Sequence, residues 1–112
     1  ISPGIKVSFN ALSLSAAQIE DISFNTDNDT LIGRTSEESV RSGVLNGQAI
    51  MIDGFIRNIR EMLDTKNSSE KLVLLATGGL CEYILPRMRN KFTYCQDMTL
   101  QGIIQLYKIN RN

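Results

Sequence analysis

The sequence predicts an α/β domain, and three observations carry this prediction. A short apolar segment at 72–76 is followed directly by Thr77, Gly78 and Gly79, a pattern typical of a buried parallel strand that ends in a turn. A second short segment, at 92–95, has the composition of a strand. Helical periodicity occurs before, between and after the two segments. This alternation places helices against a sheet, where ligands bind near the carboxyl ends of the strands.

The first helix is predicted to begin near Pro3 and to end near Ile19. Proline suits a first helical turn because its fixed φ is compatible with the helix and its missing N–H is not needed there. Apolar residues then recur every three or four positions and form one stripe, at Ile5, Phe9, Leu12, Ala16 and Ile19. The polar stretch that follows, at 21–30, is predicted to be a loop.

A long second helix is predicted to start at Thr35, where the sequence forms a capping box. The Thr35 hydroxyl can accept a hydrogen bond from the amide of Glu38, whose carboxylate can reach back to the amide of Thr35. The predicted apolar face of this helix consists of Val40, Val44, Met51, Phe55, Ile59 and Met62.

The same helix carries a stripe of small residues, at Ser39, Gly43, Gly47 and Gly54. Each internal glycine costs about 0.8 to 1 kcal/mol relative to alanine, so three glycines cost about 3 kcal/mol unless close backbone contact compensates. Two partners fit the pattern. The stripe packs either on the chain's own sheet or helix, or on the same stripe of a second subunit across a two-fold axis.

The C-terminal part of the chain is predicted to alternate between strands and helices. A strand at 71–76 leads into the glycine turn, and a short helix that carries Pro86 is expected at 80–89. A strand at 92–95 and a helix at 99–110 complete the series. The last helix is expected to bury Leu100, Ile103, Ile104 and Tyr107.

Composition and charge exclude several classes of function. Twelve basic side chains balance twelve acidic ones, so the basic excess typical of a nucleic-acid binder is absent. The longest apolar run is far shorter than the roughly 20 residues of a membrane span, and no leader-like segment begins the chain. We therefore expect a cytoplasmic protein that binds neither membranes nor nucleic acid directly. Cys81 and Cys95 lack metal-ligand spacing and histidine is absent, so reduced cysteines and no metal site are expected.

The order of motifs resembles the C-terminal half of the type III pantothenate kinases. Five motifs of that family recur here in the same order and at the same spacing, and together they span almost the whole chain. They are the end of G-G-x-I-x-P-G at 1–4, I-G at Ile32–Gly33, S-G-x-x-x-G at 42–47, V-D-G at 52–54, and an L-T-L-E-G-like helix start at 98–102 that is followed by Tyr107. Because the chain begins with Ile1, within the first of these family segments, we expect residues 1–112 to be the C-terminal RNase H-like domain fragment of a two-domain kinase.

The resemblance implies an actin-like (ASKHA) kinase fold, in which two RNase H-like domains hold ATP in the cleft between them. It also implies ATP-dependent phosphorylation of pantothenate to 4′-phosphopantothenate, the first step of coenzyme A biosynthesis. The implied cofactors are Mg²⁺ and a monovalent cation, K⁺ or NH₄⁺, and the implied assembly is a homodimer with the substrate pocket at its interface. The family's catalytic motifs, D-x-G-N-T, G-x-D-R and D-x-G-T-A, would all precede Ile1. This chain alone is therefore expected to hold no catalytic residue and to be inactive.

Two hydroxyl groups are candidates for pantothenate binding. By the resemblance, Ser36 falls at the position of the family's pantothenate-contacting threonine, and Thr35 lies one position earlier. Both residues fit an alternative role, in which their hydroxyls only cap the helix.

The glycine turn is the candidate for nucleotide binding. A turn without side chains at Thr77, Gly78 and Gly79 lets backbone amides approach a phosphate or ribose closely, although such turns also use glycine for purely steric reasons. Asp53 is interpreted as a capping residue or a partner of Arg57 rather than a metal ligand. Two other functions remain open: a non-catalytic Baf-type regulatory relative, and a dimerisation module.

Overall fold

The computed structural model describes residues 1–15, 30–65 and 72–111. Within these residues, helices and strands alternate in the predicted order, so the α/β prediction is confirmed. The elements are α1 at Ile5–Ser15, α2 at Ser36–Thr65, β1 at Leu75–Ala76, α3 at Cys81–Ile84 with a following 3₁₀ turn at Leu85–Arg87, β2 at Thr93–Tyr94 and α4 at Met98–Asn110. None of the described helices combines the length and the apolar character needed to cross a lipid bilayer.

Helix α1 packs on α2 through the first half of its predicted stripe. Ile5 and Phe9, one helical turn apart, are buried in one cluster with side chains of α2 and α3, whereas Leu12 is exposed. The rest of the stripe, the predicted helix end near Ile19 and the predicted loop up to residue 29 lie outside the described residues.

Helix α2 begins where the capping box predicts. The amide of Glu38 donates to the Thr35 hydroxyl at 3.1 Å, and the amide of Ser39 donates to the Thr35 carbonyl at 3.0 Å. The Glu38 carboxylate accepts from the amide of Arg34 at 2.7 Å, one residue before the predicted Thr35 amide. The capping box therefore caps α2 and also holds the backbone of Arg34, which leads into the helix.

The buried face of α2 differs from the prediction. Val44 is buried and Val40 packs partly buried against the core, as predicted, but Phe55, Ile59 and Met62 are exposed. Beyond Val44 the core follows a line displaced by one position along the helix, with Leu45, Ala49 and Ile56 buried and Ile52 partly buried. One position corresponds to about 100° around a helix, and both lines have spacings of three and four. Packing by α1 and α3 selects between them.

Strands β1 and β2 form a two-stranded parallel sheet, with Leu75 opposite Thr93. The amide of Thr93 donates to the Leu74 carbonyl at 2.9 Å, and the amide of Cys95 donates to the Ala76 carbonyl at 2.8 Å. Alternate residues of a strand direct their backbone groups to opposite sides, so the N–H and C=O of Leu75 face away from β2. Among the described residues, nothing pairs with that outer edge.

The prediction of a wholly buried strand is wrong for the described chain. Val73 and Leu75 are exposed, while Leu72, Leu74 and Ala76 are half-buried. The physical reason is that the described residues form two strands and supply no layer over the face that carries Val73 and Leu75.

Helix α3 and its 3₁₀ continuation occupy the region predicted for the helix at 80–89. Ile84 joins the core cluster, and Pro86 lies at the start of the 3₁₀ turn, where its missing N–H is tolerated. Helix α4 begins one residue before its predicted start. The prediction that it buries an apolar side is wrong within the described chain, because none of its side chains is buried.

Candidate functional site

The glycine turn lies at the carboxyl end of β1. Gly78 has a φ of +103°, a left-handed conformation that side chains other than glycine rarely adopt. Among the described residues, and apart from each glycine's own chain neighbours, no atom lies within 4 Å of the position where a Cβ would stand at Gly78 or Gly79, and both residues are exposed. The turn is therefore open on its outer side.

Cys81 anchors the turn on its inner side. The Cys81 amide donates to the Gly78 carbonyl at 3.2 Å, and the Cys81 Sγ donates to the Thr77 carbonyl at 3.0 Å. Burial raises the pKa of the Cys81 thiol, which keeps it protonated at neutral pH. This cysteine is a structural donor rather than a nucleophile, and it is free, as predicted.

An apolar cavity of about 360 Å³ lies beside the turn, among residues of α2, β1 and α3. Thr77 and Cys81 line it, together with Ile52 of α2 and Met88. Neither Thr35 nor Ser36 lines this cavity. The two groups of candidate residues therefore do not share it.

The I-G segment packs tightly on the first turns of α2. A Cβ at Gly33 would stand 2.3 Å from the amide nitrogen of Ser39 and 2.6 Å from the carbonyl carbon of Glu38. Only glycine permits this approach, because both neighbouring atoms belong to the backbone of a helix. The close contact explains the glycine of the I-G motif in terms of packing.

Two polar side chains of α2 that the sequence analysis missed hold the same segment. Ser42 is buried, and its hydroxyl donates to the Leu31 carbonyl at 2.6 Å. The Asn46 amide group donates to the Ser42 hydroxyl at 2.9 Å and to the Thr30 carbonyl at 3.4 Å. The sequence signal for this contact was a serine and an asparagine four positions apart, which lie on one face of the helix.

Thr35 and Ser36 stand exposed at the start of α2. The Thr35 hydroxyl accepts from the amide of Glu38, so the capping role holds for Thr35, although its proton can still be donated elsewhere. A cavity of about 440 Å³ runs beside the next turns of the helix, and Gly33, Gly43 and other residues of this region line it.

The small-residue stripe faces open space in the described structure. Gly43 and Gly47 are exposed, and apart from the adjacent backbone of α2 itself no described atom lies within 4 Å of a Cβ built at either residue or at Gly54. Within residues 1–15, 30–65 and 72–111, nothing compensates for the stripe by close packing. The second-subunit interpretation stays a prediction.

Asp53 makes a contact that the sequence analysis did not foresee. Its carboxylate accepts from the Arg89 amide at 2.8 Å, from the Asn90 amide at 3.1 Å and from the Asn90 side-chain amide at 2.5 Å. The Arg60 guanidinium donates to the other end of the Asn90 side chain at 2.7 Å. Asp53 therefore links α2 to the turn before β2, and this role replaces its interpretation as a cap or a partner of Arg57.

This environment lowers the pKa of the Asp53 carboxyl. Partial desolvation acts in the opposite direction and would raise the pKa. The hydrogen bonds from the Arg89 amide and from both donors of Asn90, with the positive charge of Arg89, together outweigh desolvation. Asp53 is thus an ionised, hydrogen-bonded positioning group. The described residues contain no group of three His, Cys, Asp or Glu side chains that could hold a metal ion.

The fold and the candidate site together define this chain as an α/β protein in which a parallel strand ends in an open glycine turn. The model of the type III pantothenate kinase family matches residues 1–58, more than half of the chain. The chain belongs to this family.

Curated relatives extend the match to nearly the whole chain. The type III pantothenate kinase of Rubrobacter xylanophilus is 34% identical over 110 residues, which are 98% of this chain and 42% of that protein. The protein of the same name from Thermomicrobium roseum is 33% identical over 108 residues, 96% of this chain and 39% of the relative. The chain therefore spans about 40% of the length of these relatives.

Proposed function

We propose that this protein catalyses the ATP-dependent phosphorylation of pantothenate to 4′-phosphopantothenate, and that this chain supplies the C-terminal half of the site. Family membership carries the proposal, since the matched relatives bear the name type III pantothenate kinase. The proposal includes an actin-like fold of two RNase H-like domains, of which residues 1–112 form the second.

The nucleotide side of the site is assigned to Thr77, Gly78 and Gly79. The open outer side of this turn and the positive φ of Gly78 support the assignment, because ATP can approach the backbone without meeting a side chain. Cys81 holds the turn from behind, which fixes the direction of its amides.

The pantothenate side is assigned to Ser36, with Thr35 beside it. A serine hydroxyl donates and accepts hydrogen bonds as a threonine hydroxyl does, and it lacks only the methyl contact. The tight I-G segment and the capping box support this assignment, because they hold the start of α2 in one place.

A homodimer is part of the proposal. The exposed Gly43 and Gly47 offer a surface without side-chain bulk on which a second α2 can pack closely. Ser36 and Gly47 are about 16 Å apart along the helix axis, so a partner on the stripe reaches the region of the pantothenate hydroxyl contacts.

Mg²⁺ and a monovalent cation, K⁺ or NH₄⁺, complete the proposal. When bound, such ions neutralise charge on the phosphates of ATP. The described residues do not form a fitting donor set, and the Asp53 carboxylate is already engaged by three donors. A cation ligand is therefore expected from the family's D-x-G-T-A motif rather than from this chain.

A reciprocal pair of variants in the full-length protein tests the proposal. Gly79→Val places a branched side chain on the turn and should raise the KM for ATP about tenfold while changing the KM for pantothenate little. Ser36→Ala should do the reverse. Ser36→Thr, which restores the family's residue, serves as the matched control and should keep both constants near those of the unaltered enzyme.

Steady-state kinetics with each substrate varied in turn separates these outcomes. A similar rise of both KM values in both variants would indicate general damage and contradict the assigned roles. No phosphoryl transfer to pantothenate by the unaltered full-length protein would refute the function itself.

A further inference from the structure

The segment at 30–34 is held in place one peptide unit at a time. A peptide unit is planar, so a hydrogen bond to its carbonyl or its amide restrains the direction of both groups. Each of the four peptide units between Thr30 and Arg34 has such a bond, and the partner is a side chain in every case. In the order of the peptide units, the partners are Asn46, Ser42, Thr30 and Glu38. We call these four side chains the peptide clamp.

Two members of the peptide clamp come from the body of α2. Ser42 and Asn46 lie one helical turn apart, and the Asn46 amide group donates to the Ser42 hydroxyl at 2.9 Å. Ser42 is only 8% exposed, and its own hydroxyl donates to the Leu31 carbonyl at 2.6 Å. Loss of this hydroxyl would leave the partly buried Leu31 carbonyl without that donor.

The other two members act locally. The Thr30 hydroxyl donates to the Ile32 carbonyl at 2.7 Å, and the Glu38 carboxylate accepts from the Arg34 amide at 2.7 Å. Apolar burial does not hold the segment within the described structure, because the side chains of Leu31 and Ile32 are 68% and 81% exposed. The peptide clamp is therefore the main restraint on this segment among the described residues.

The clamped segment adjoins the residues assigned to pantothenate. It leads directly into Thr35 and Ser36, and its own residues 31–33 line the cavity of about 440 Å³ beside α2. A shift of the segment would therefore change both the shape of this cavity and the approach to the Ser36 hydroxyl.

We propose that Ser42 and Asn46 are positioning residues for pantothenate, which act by holding segment 30–34 as a wall of this cavity. The proposal rests on the proposed function and on the assignment of Ser36. The hydroxyl hydrogen of Ser42 and both amide hydrogens of Asn46 are already donated within the peptide clamp. These donors therefore act on pantothenate through the segment. Neither residue lines the cavity beside the glycine turn, so ATP binding should be spared.

Steady-state kinetics of the full-length protein tests the proposal. Ser42→Ala and Asn46→Ala should each raise the KM for pantothenate about three- to tenfold, the effect of losing one or two hydrogen bonds. The KM for ATP should stay within about twofold. Asn58→Ala is the matched control, since Asn58 is exposed on the same helix and its side chain makes no hydrogen bond among the described residues. It should leave both constants unchanged.

Two kinetic results would overturn the proposal. One is an unchanged KM for pantothenate in either variant, and the other is an equal rise of both KM values, which would indicate general damage. Should Ser42→Ala not fold, Asn46→Ala carries the same test from a half-buried position.

Trypsin cleavage after Arg34 gives a readout that needs no substrate. Arg34 is exposed, and cleavage there requires the segment to open locally. Mass spectrometry should find this cut at least about fivefold faster in Ser42→Ala than in the unaltered full-length protein, and unchanged in Asn58→Ala. Equal rates in Ser42→Ala and the unaltered protein would overturn the proposal.

Failure of the proposed function can be told apart from failure of this proposal. No phosphoryl transfer by the unaltered protein would refute the function alone. Calorimetric titration with pantothenate then decides the positioning role: weaker binding by Ser42→Ala than by the unaltered protein supports it. Equal binding, or no binding by the unaltered protein, would overturn it.

Discussion

Replacing Asp53 should uncouple α2 from the turn that precedes β2. The carboxylate receives three hydrogen bonds, all from Arg89 and Asn90, which lie 36 and 37 positions away in the sequence. Asp53→Asn keeps the size of the side chain but replaces one accepting oxygen with a donating NH₂ group. Either orientation of the new amide sets that group against at least one backbone N–H donor.

The expected loss is about 1–2 kcal/mol in the free energy of unfolding. Hydrogen bonds to a charged acceptor contribute about 1.5–3 kcal/mol each when well formed, and the partial exposure of this site reduces that figure. At about 4–8 °C per kcal/mol for a domain near this size, the midpoint of thermal unfolding should fall by roughly 4–16 °C. Asp64→Asn makes the same chemical change at an exposed position near the end of α2 and should alter stability by less than about 0.5 kcal/mol.

The pH dependence supplies an independent check. Because the folded pKa of Asp53 is lowered from its ordinary value of 3.8, the stabilisation is present above that value. It is lost as the pH falls through the lower folded pKa. Urea unfolding followed by circular dichroism should therefore give Asp53→Asn a lower free energy of unfolding than the unaltered chain at pH 7. This difference should disappear in acid. A gap of equal size at both pH values, or equal effects of Asp53→Asn and Asp64→Asn, would refute the reasoning.

The remaining predictions concern substitutions of glycines. Gly33→Ala should destabilise the chain by about 2 kcal/mol, because the new Cβ would stand 2.3 Å from the Ser39 nitrogen. Gly54→Ala has open space around it and should stabilise α2 by about 0.8–1 kcal/mol. Urea unfolding that gives both changes in stability the same sign would contradict the packing argument. Gly47→Leu should weaken both dimerisation and pantothenate binding of the full-length protein in sedimentation and binding assays, while Gly79→Val should remain dimeric. A stable Gly47→Leu dimer with unchanged pantothenate binding would remove the stripe from the interface.

Local signals in the sequence predicted where elements begin and end. The capping box at Thr35 predicted the start of α2, and the glycine pair predicted the turn after β1, where Gly78 indeed has a positive φ. These features depend on hydrogen bonds and backbone conformation within a few residues. A short stretch of sequence is therefore enough to specify them.

The buried faces of the helices and the contacts between distant residues could not be predicted in the same way. Two apolar lines one position apart on α2 have the same periodicity, and only the packing of α1 and α3 selects the line through Leu45 and Ala49. The contact of Asp53 with Asn90 joins distant positions that no local spacing connects. For α4, the pattern predicted a buried apolar side, which is wrong within the described chain, because none of its side chains is buried there. The candidate hydroxyls were placed by the family resemblance and the glycine turn by the apolar segment that ends in paired glycines, and the chemical roles of both remain predictions.

The outer edge of β1 affects how this chain behaves in solution. Among the described residues, the backbone groups of Leu75 on this edge are unpaired, and they lie between Val73, whose side chain is exposed, and the glycine turn. The described strand carries no charged residue that would discourage an incoming chain. Exposed, uncharged strand edges are templates for intermolecular pairing and aggregation. When the edge is left uncovered, self-association should begin there and rise with concentration. A lysine at Val73, which adds a charge to that edge, is the simplest means of keeping the isolated chain monodisperse.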